Sequence, residues 1–584
     1  MSGVFPSIEP ISNAKTFAQQ IRKKRPQRSQ QWLCAIISMA CALSFLASGG
    51  VNAGALAQKV HPKILNKELA QKHYLPDFSY AGYDNGNSSI DTSDYRVIDV
   101  GEHGILPNDT IDDSKALITL LEQLKNDEHP SVLQFAPGRY IISSIIYFDR
   151  NYTVLRGAGS GPGGTEFYFP RPLIYAPDPP ELAELREYLT KLNKVQREKR
   201  NNIELPFTQW AWSGGYFWTR IKDQRVKKYL DKFDEPVREL AKPISATQGQ
   251  FTVQVDTANT LSIGQVIEIQ WLNDKGKDGP LIHELYKSED VYVGSHHWNF
   301  ANLPLSRQQV KITAIAGNTI TLASPLLHDI NNELSVKIVQ WDHLHHIGFE
   351  HFTMTFAYAE PVAHHVEQGF NGIYLTRLFN GWVDDVRITN ADSGILTEEV
   401  ANLSINNVVT DGKKYAHYSV QMGGVHNVLV DNLQVKNKVE HPLSFNTFAS
   451  KSVYRGAHVE LDPILDQHSG VNHQNLFDNI SVVVNLTDGS REYPLFAGGG
   501  AKYWKPSHGA YNTFWNINVH FNNGHDSTES VKLNGMNDGV AARVIGVRAN
   551  LPITVEYGPN PYIEASNERL SYDSLYQYQL QQRR

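Results

Sequence analysis

Cysteine is almost missing. The 584 residues hold two, Cys34 and Cys41, both within the first 50 positions. The rest of the chain has no disulfide framework, so its stability must come from core packing and backbone ladders. Charge of one sign is also scarce. The net charge is −7 and no basic stripe lies outside the N-terminal tail, which excludes nucleic acid as a partner. The fixed leucine pattern of a leucine-rich repeat is lacking. The glycine run from Gly157 to Gly164 is not followed by Lys-Ser or Lys-Thr, which excludes a phosphate loop.

What is present begins with the first 57 residues. Arg22, Lys23, Lys24, Arg25 and Arg28 precede an apolar run from Leu33 to Ala47, and small residues end in Ala55-Leu56-Ala57. Basic flank, short apolar run and A-x-A end together read as a secretory signal with a cut after Ala57. The expected location is secreted or periplasmic, with an uncleaved membrane anchor as the alternative. Aromatic residues are plentiful, at 27 Tyr, 24 Phe and 10 Trp. Such rings fill a long core and also stack on sugar faces.

Beyond residue 57 three stretches differ in character. The first, 77–170, reads as strand, helix, then many short strands. Tyr95 to Val100 is strand-like, and Asp112 or Asp113 is placed to cap a helix over 111–124. The second, 171–340, reads as an insert: a charged helical segment over 179–201, then alternating strands with a hairpin signal at Gly317-Asn318. The third, 341–553, carries a repeat. Asn402-Leu403-Ser404-Ile405-Asn406 returns at Asn427, Asn475 and Asn512, at intervals of 25, 48 and 37 residues. A period near 24 with short β runs and polar turns means stacked coils. The expected fold is all-β: a right-handed parallel β-helix with an N-terminal capping helix, an inserted small α+β subdomain and a C-terminal tail over 554–584. A β sandwich whose turns happen to carry Asn is the alternative.

Five motifs in order carry a family resemblance: Val97-Ile98-Asp99-Val100, Asp112-Asp113, the Ala116 helix, Phe135-Ala136-Pro137-Gly138-Arg139-Tyr140, and Leu155-Arg156-Gly157-Ala158-Gly159. Together they resemble the N-terminal block of the pectate lyase superfamily. The resemblance covers 77–170 and 341–553 and leaves out the insert. It implies the β-helix fold; it says little of function, because this fold hosts lyases, hydrolases, esterases and adhesins.

The residues themselves point to chemistry. His417, His441 and His468 follow the coil period, at intervals of 24 and 27. Stacked coils would bring them together, with Tyr418, Lys451 and Arg455 close by. β-Elimination from a uronic acid needs a base, an acid and a cation that neutralises the neighbouring carboxylate. The candidate catalytic residues are therefore His417, Tyr418, His441, Lys451, Arg455 and His468. One of His417, His468 or Tyr418 is the expected base, and Arg455 or Lys451 the expected neutraliser. Trp210, Trp212, Asp466 and His473 are candidates for substrate binding. A hydrolase would need two carboxylates facing across the scissile bond, for which Asp384-Asp385 is the nearest offer. Calcium enters as a candidate cofactor if Glu398, Glu399 and Asp431 gather; the metal, if any, is left open. The expected activity is lysis of an anionic polysaccharide, with a hydrolase or a non-catalytic carbohydrate-binding β-helix as alternatives. The sugar and linkage are out of reach.

Overall fold

The computed structural model describes residues 59–195, 207–226, 236–288, 291–295, 303–500 and 502–584. Cys34, Cys41 and the expected cut after Ala57 lie outside the described residues.

The chain folds as a right-handed parallel β-helix. One coil shows how it is built. Trp382–Thr389 lies on a long bent wall, Ser393–Glu398 on a second wall, and Val400–Ala401 on a narrow corner strip. Ser404–Asp411 then returns to the bent wall, parallel to Trp382–Thr389 and in register with it. The second wall, called here the site wall, stacks eight parallel strands, from Ile146–Phe148 to Gly498–Gly499.

The bends explain the asparagines. Each coil turns sharply where single residues take the left-handed backbone conformation, and two of these columns hold the asparagines. That conformation costs least for Gly, Asn and Asp. At the corner bend the column reads Asn380, Asn402, Asn427, Lys451 and Gln474; within the bent wall it reads Asp385, Asn407, Asn432, Gly456, Asn479, Asn516 and Gly546. The second column carries the side-chain ladder. Asn432 Nδ2 donates to Asn407 Oδ1 at 2.9 Å, and Asn516 Nδ2 to Asn479 Oδ1 at 2.9 Å.

The four repeat asparagines are not equivalent. Asn402 and Asn427 occupy the corner bend, whereas Asn475 and Asn512 sit one position later. There they cap backbone groups: Ser452 N donates to Asn475 Oδ1 at 3.1 Å and Asn475 N to Asn512 Oδ1 at 2.7 Å.

The coil interior is apolar and ringed with aromatics. Phe477 stacks on Phe514 with centroids 5.0 Å apart and on Tyr454 at 5.8 Å. The helix Ser114–Leu124 buries Leu117, Leu120 and Leu124 against Val100, Ile105 and Phe135 at the first coils, as expected of a cap. It starts three residues later than the 111–124 reading. Asp113 is the N-cap residue, but its carboxylate accepts from Ile141 N at 3.1 Å and caps nothing, while Asp112 Oδ1 accepts from Ser114 N at 2.9 Å.

The insert contains the helix Ala183–Val195 and a seven-stranded antiparallel sheet over 239–340 with its own apolar core. Phe448, Val471, Ala510 and Val540 of the coils join that core. Phe217–Thr219, inside the 171–340 stretch, is a site-wall strand between Ile146–Phe148 and Asn371–Thr376. Coil strands also continue past 553, to Tyr562–Glu564, so most of the expected tail is structured. Its last helix, Leu575–Arg583, lies with residues 59–90 along the outside of the bent wall. Ile64, Phe78, Leu575 and Tyr576 there cover Leu429, Val453, Leu476 and Trp515.

Candidate active site

Strand register on the site wall assembles the site. His441 pairs with Tyr418, Asp466 with Ser444, and His468 with Asn446. None of His417, His441 and His468 pairs with another in register, yet their rings meet. His417 and His441 have ring centroids 5.5 Å apart, and His441 and His468 are 4.8 Å apart.

Asp466 ties the row together. Its fully buried Oδ2 lies 3.4 Å from His441 Nδ1 and 3.2 Å from His468 Nδ1, and accepts from Ser444 Oγ at 2.6 Å. Gly499 N donates to Oδ1 at 3.2 Å. Burial pushes this carboxyl up, but the two imidazoles and the serine hydroxyl together outweigh it and hold it at about 2. Burial drives His441 down to about 3, against the pull of Asp466. Tyr418 is buried with its ring 4.1 Å from that of His417, and burial raises its phenol well above the ordinary range. Its hydroxyl, which accepts from Asn446 Nδ2 at 3.4 Å, is thus a poor base.

Two histidines that sequence reading missed complete the cluster. His364 lies 4.6 Å from His417 and 6.1 Å from His441; His365 lies 3.7 Å from His364. They sit on the loop before Asn371–Thr376, outside the coil period, so spacing gave no sign of them. Glu367 on the same loop places Oε1 3.1 Å from His417 Nδ1. Beside them opens a cavity of about 300 Å³ lined by His364, Glu367, Lys414, Tyr415, His417 and Glu440. Lys414 is bound to Asp392 at 2.6 Å.

Several expected members are elsewhere. Arg455 is on the bent wall, where its Nε donates to Asp431 Oδ1 at 2.8 Å. Lys451 is at the corner bend, its Nζ 3.5 Å from Asp77 O. His473 is also on the corner, its Nε2 2.9 Å from His328 Nε2 of the insert. The crowding of ionisable groups between His441 and His473 spans a whole coil, and a coil visits three walls. Closeness in sequence there scatters the side chains around the solenoid.

Trp210 is a core residue, and Trp218 is buried with Nε1 donating to Thr376 Oγ1 at 3.3 Å. Of the two candidate tryptophans, Trp212 alone reaches the site, 4.6 Å from His365 and 6.3 Å from His417. The calcium candidates do not gather. Glu399 is bound by Arg307 at 2.8 Å, and Asp431 by Arg455 on another wall. Asp385 is at a bend, 3.0 Å from His351, and Asp384 accepts from Asn407 at 2.9 Å.

No protein-family model and no curated protein matches the sequence. Among solved structures, the chain is similar to the tailspike gp49 of Pseudomonas phage LKA1, at 11% identity over 84% of this chain and 80% of that one, TM-score 0.42. It is also similar to DFA-IIIase from Arthrobacter chlorophenolicus A6 (11% identity, 82% and 97% covered, TM-score 0.37). A third is the mannuronan C-5 epimerase AlgE4 A-module of Azotobacter vinelandii (8% identity, 81% and 97% covered, TM-score 0.35).

Proposed function

We propose that this chain is an enzyme acting on a carbohydrate polymer, and that it cleaves an acidic, uronate-containing polysaccharide by β-elimination. The observation that carries the reading is Asp466, fully buried and hydrogen-bonded to His468 Nδ1 at 3.2 Å, with His441 Nδ1 3.4 Å away. A carboxylate at Nδ1 fixes a histidine's tautomer and leaves Nε2 to exchange a proton with substrate. His468, the more exposed of the two, takes the C5 proton of the uronate. The electron pair forms the new double bond to C4, the C4–oxygen bond breaks, and the departing oxygen takes a proton from solvent water. Gly499 presses against the His468 ring: a Cβ there would lie 1.9 Å from Nδ1, so only glycine leaves the ring in place. Trp212 offers a ring face for a sugar at the edge of the cluster. The signal-like first 57 residues fit an enzyme exported, secreted or periplasmic, to meet such a polymer.

The test is a panel of anionic polysaccharides: pectate, alginate and glycosaminoglycans. Lysis yields the near-ultraviolet absorbance of the unsaturated uronate. Reducing ends without that absorbance would replace the lyase with a hydrolase. Polymer bound but never shortened would replace the enzyme with a binding module.

A further inference from the structure

We propose that His364, His365 and His417 bind one divalent transition-metal ion. The proposal rests on the reading above and deepens it: neither Arg455 nor Lys451 is there to neutralise a uronate carboxylate, and a cation at these histidines would do so.

One ring nitrogen from each of the three lies within 4.8 Å of the others. Tetrahedral zinc bound to imidazoles asks for nitrogens about 3.4 Å apart. Small rotations of the half-buried His364 and His365, both on a loop, close that gap. His417 supplies the second observation. Its side chain is 1% exposed, and neither of its ring nitrogens has a hydrogen-bond partner, although Nδ1 lies 3.1 Å from Glu367 Oε1. Its Nδ1 faces the Glu367 carboxylate. That neighbour favours the proton on Nδ1 and the lone pair on Nε2, the arrangement by which an outer carboxylate orients a metal-binding histidine.

The donor set selects the ion. Calcium takes six to eight oxygens, whereas imidazole nitrogens suit zinc, cobalt, nickel and copper. Three protein ligands leave the fourth position open, as catalytic sites do. His364 and His417 both line the adjoining cavity, so the open position faces space that a sugar carboxylate can enter. An ion there draws charge from that carboxylate and makes the neighbouring C–H more acidic.

The experiment uses the untagged full chain, stripped with a chelator and dialysed, then titrated with Co²⁺ alone while visible absorption is followed. One equivalent should bind with the bands of a four- or five-coordinate nitrogen site. The double variant His364→Gln/His365→Gln should lose at least about 100-fold in affinity and Glu367→Gln about 10–100-fold, with metal-free circular dichroism unchanged. Equal Co²⁺ binding by the full chain and the double variant would overturn the site. Full-rate lysis by the stripped chain would overturn the metal's part and leave the lyase standing. Co²⁺ held through these histidines with no polymer cleaved would leave the site standing and remove the lyase.

Discussion

At the scale of single residues, the structure separates side chains that serve the site from those that serve the coil. His468→Ala is expected to lower turnover on the order of 10²–10⁴-fold with the fold intact, as for a lost acid or base. Asp466→Asn should fall in the same range, because the amide no longer fixes the histidine tautomer. Both are read in steady-state kinetics on whichever polymer the panel identifies. Arg455→Ala should behave in the opposite way. Its partner is Asp431, so the variant should keep turnover within about twofold while losing about 1–3 kcal/mol in chemical unfolding. A loss of activity in Arg455→Ala without a loss of stability would return Arg455 to the site.

At the scale of elements, the bend columns set up a sharper comparison. Asn516 is buried, at φ 54°, and its Nδ2 donates to Asn479 Oδ1 and Asp573 O, both at 2.9 Å. Asn516→Ala loses those bonds, about 1–3 kcal/mol, and adds left-handed strain of about 1 kcal/mol. Asn516→Gly loses the bonds without the strain, so thermal unfolding should rank it between the two. Asp478 makes the last helix sensitive to pH. Its fully buried carboxylate accepts from Leu575 N at 2.9 Å and Tyr576 N at 3.1 Å, and burial raises it to about 6. The folded state therefore holds this proton where the unfolded state has lost it. Stability from this group is fully present below the ordinary carboxylate pKa and is lost as pH rises through about 6. Unfolding at about pH 5 and about pH 7.5 should show the wild type gaining on Asp478→Asn at the lower value.

The same elements show what could be read beforehand. The capping helix, the coil strands and the polar residues at bends were legible, because each is a local pattern with a local cause. The near-coil spacing of the three histidines pointed to one wall but not to their register, since His441 pairs with Tyr418 and His468 with Asn446. The shift of Asn475 and Asn512 by one position was not legible, since the strand period passes unchanged through either register of the turn. Nor were His364 and His365, whose loop belongs to no repeat, or the true walls of Lys451 and Arg455.

At the scale of the whole molecule, residues 59–90 and the last helix cover one apolar strip together. Val60 bridges Leu570, and Arg583 Nη2 donates to Asn85 O at 2.9 Å. Deleting 575–584 should therefore expose more than its own contacts. Limited proteolysis is expected to cut within 59–90 in the truncated chain and to spare that segment in the intact one. Equal cutting in both would show that the segment holds on by itself.

The fastening of Val60 to Leu570 also bears on the order in which the chain is made. Residues 59–82 leave the ribosome early, yet the surface they cover is built from coils after Asn427, which emerge near the end. Until then Ile64, Phe78 and Ala81 lack the apolar partners they will cover. Contacts this distant in sequence form slowly, and apolar surface left open in the meantime invites association between chains. The finished protein hides apolar side chains of an early segment that every newly made copy must carry uncovered until its late coils are made.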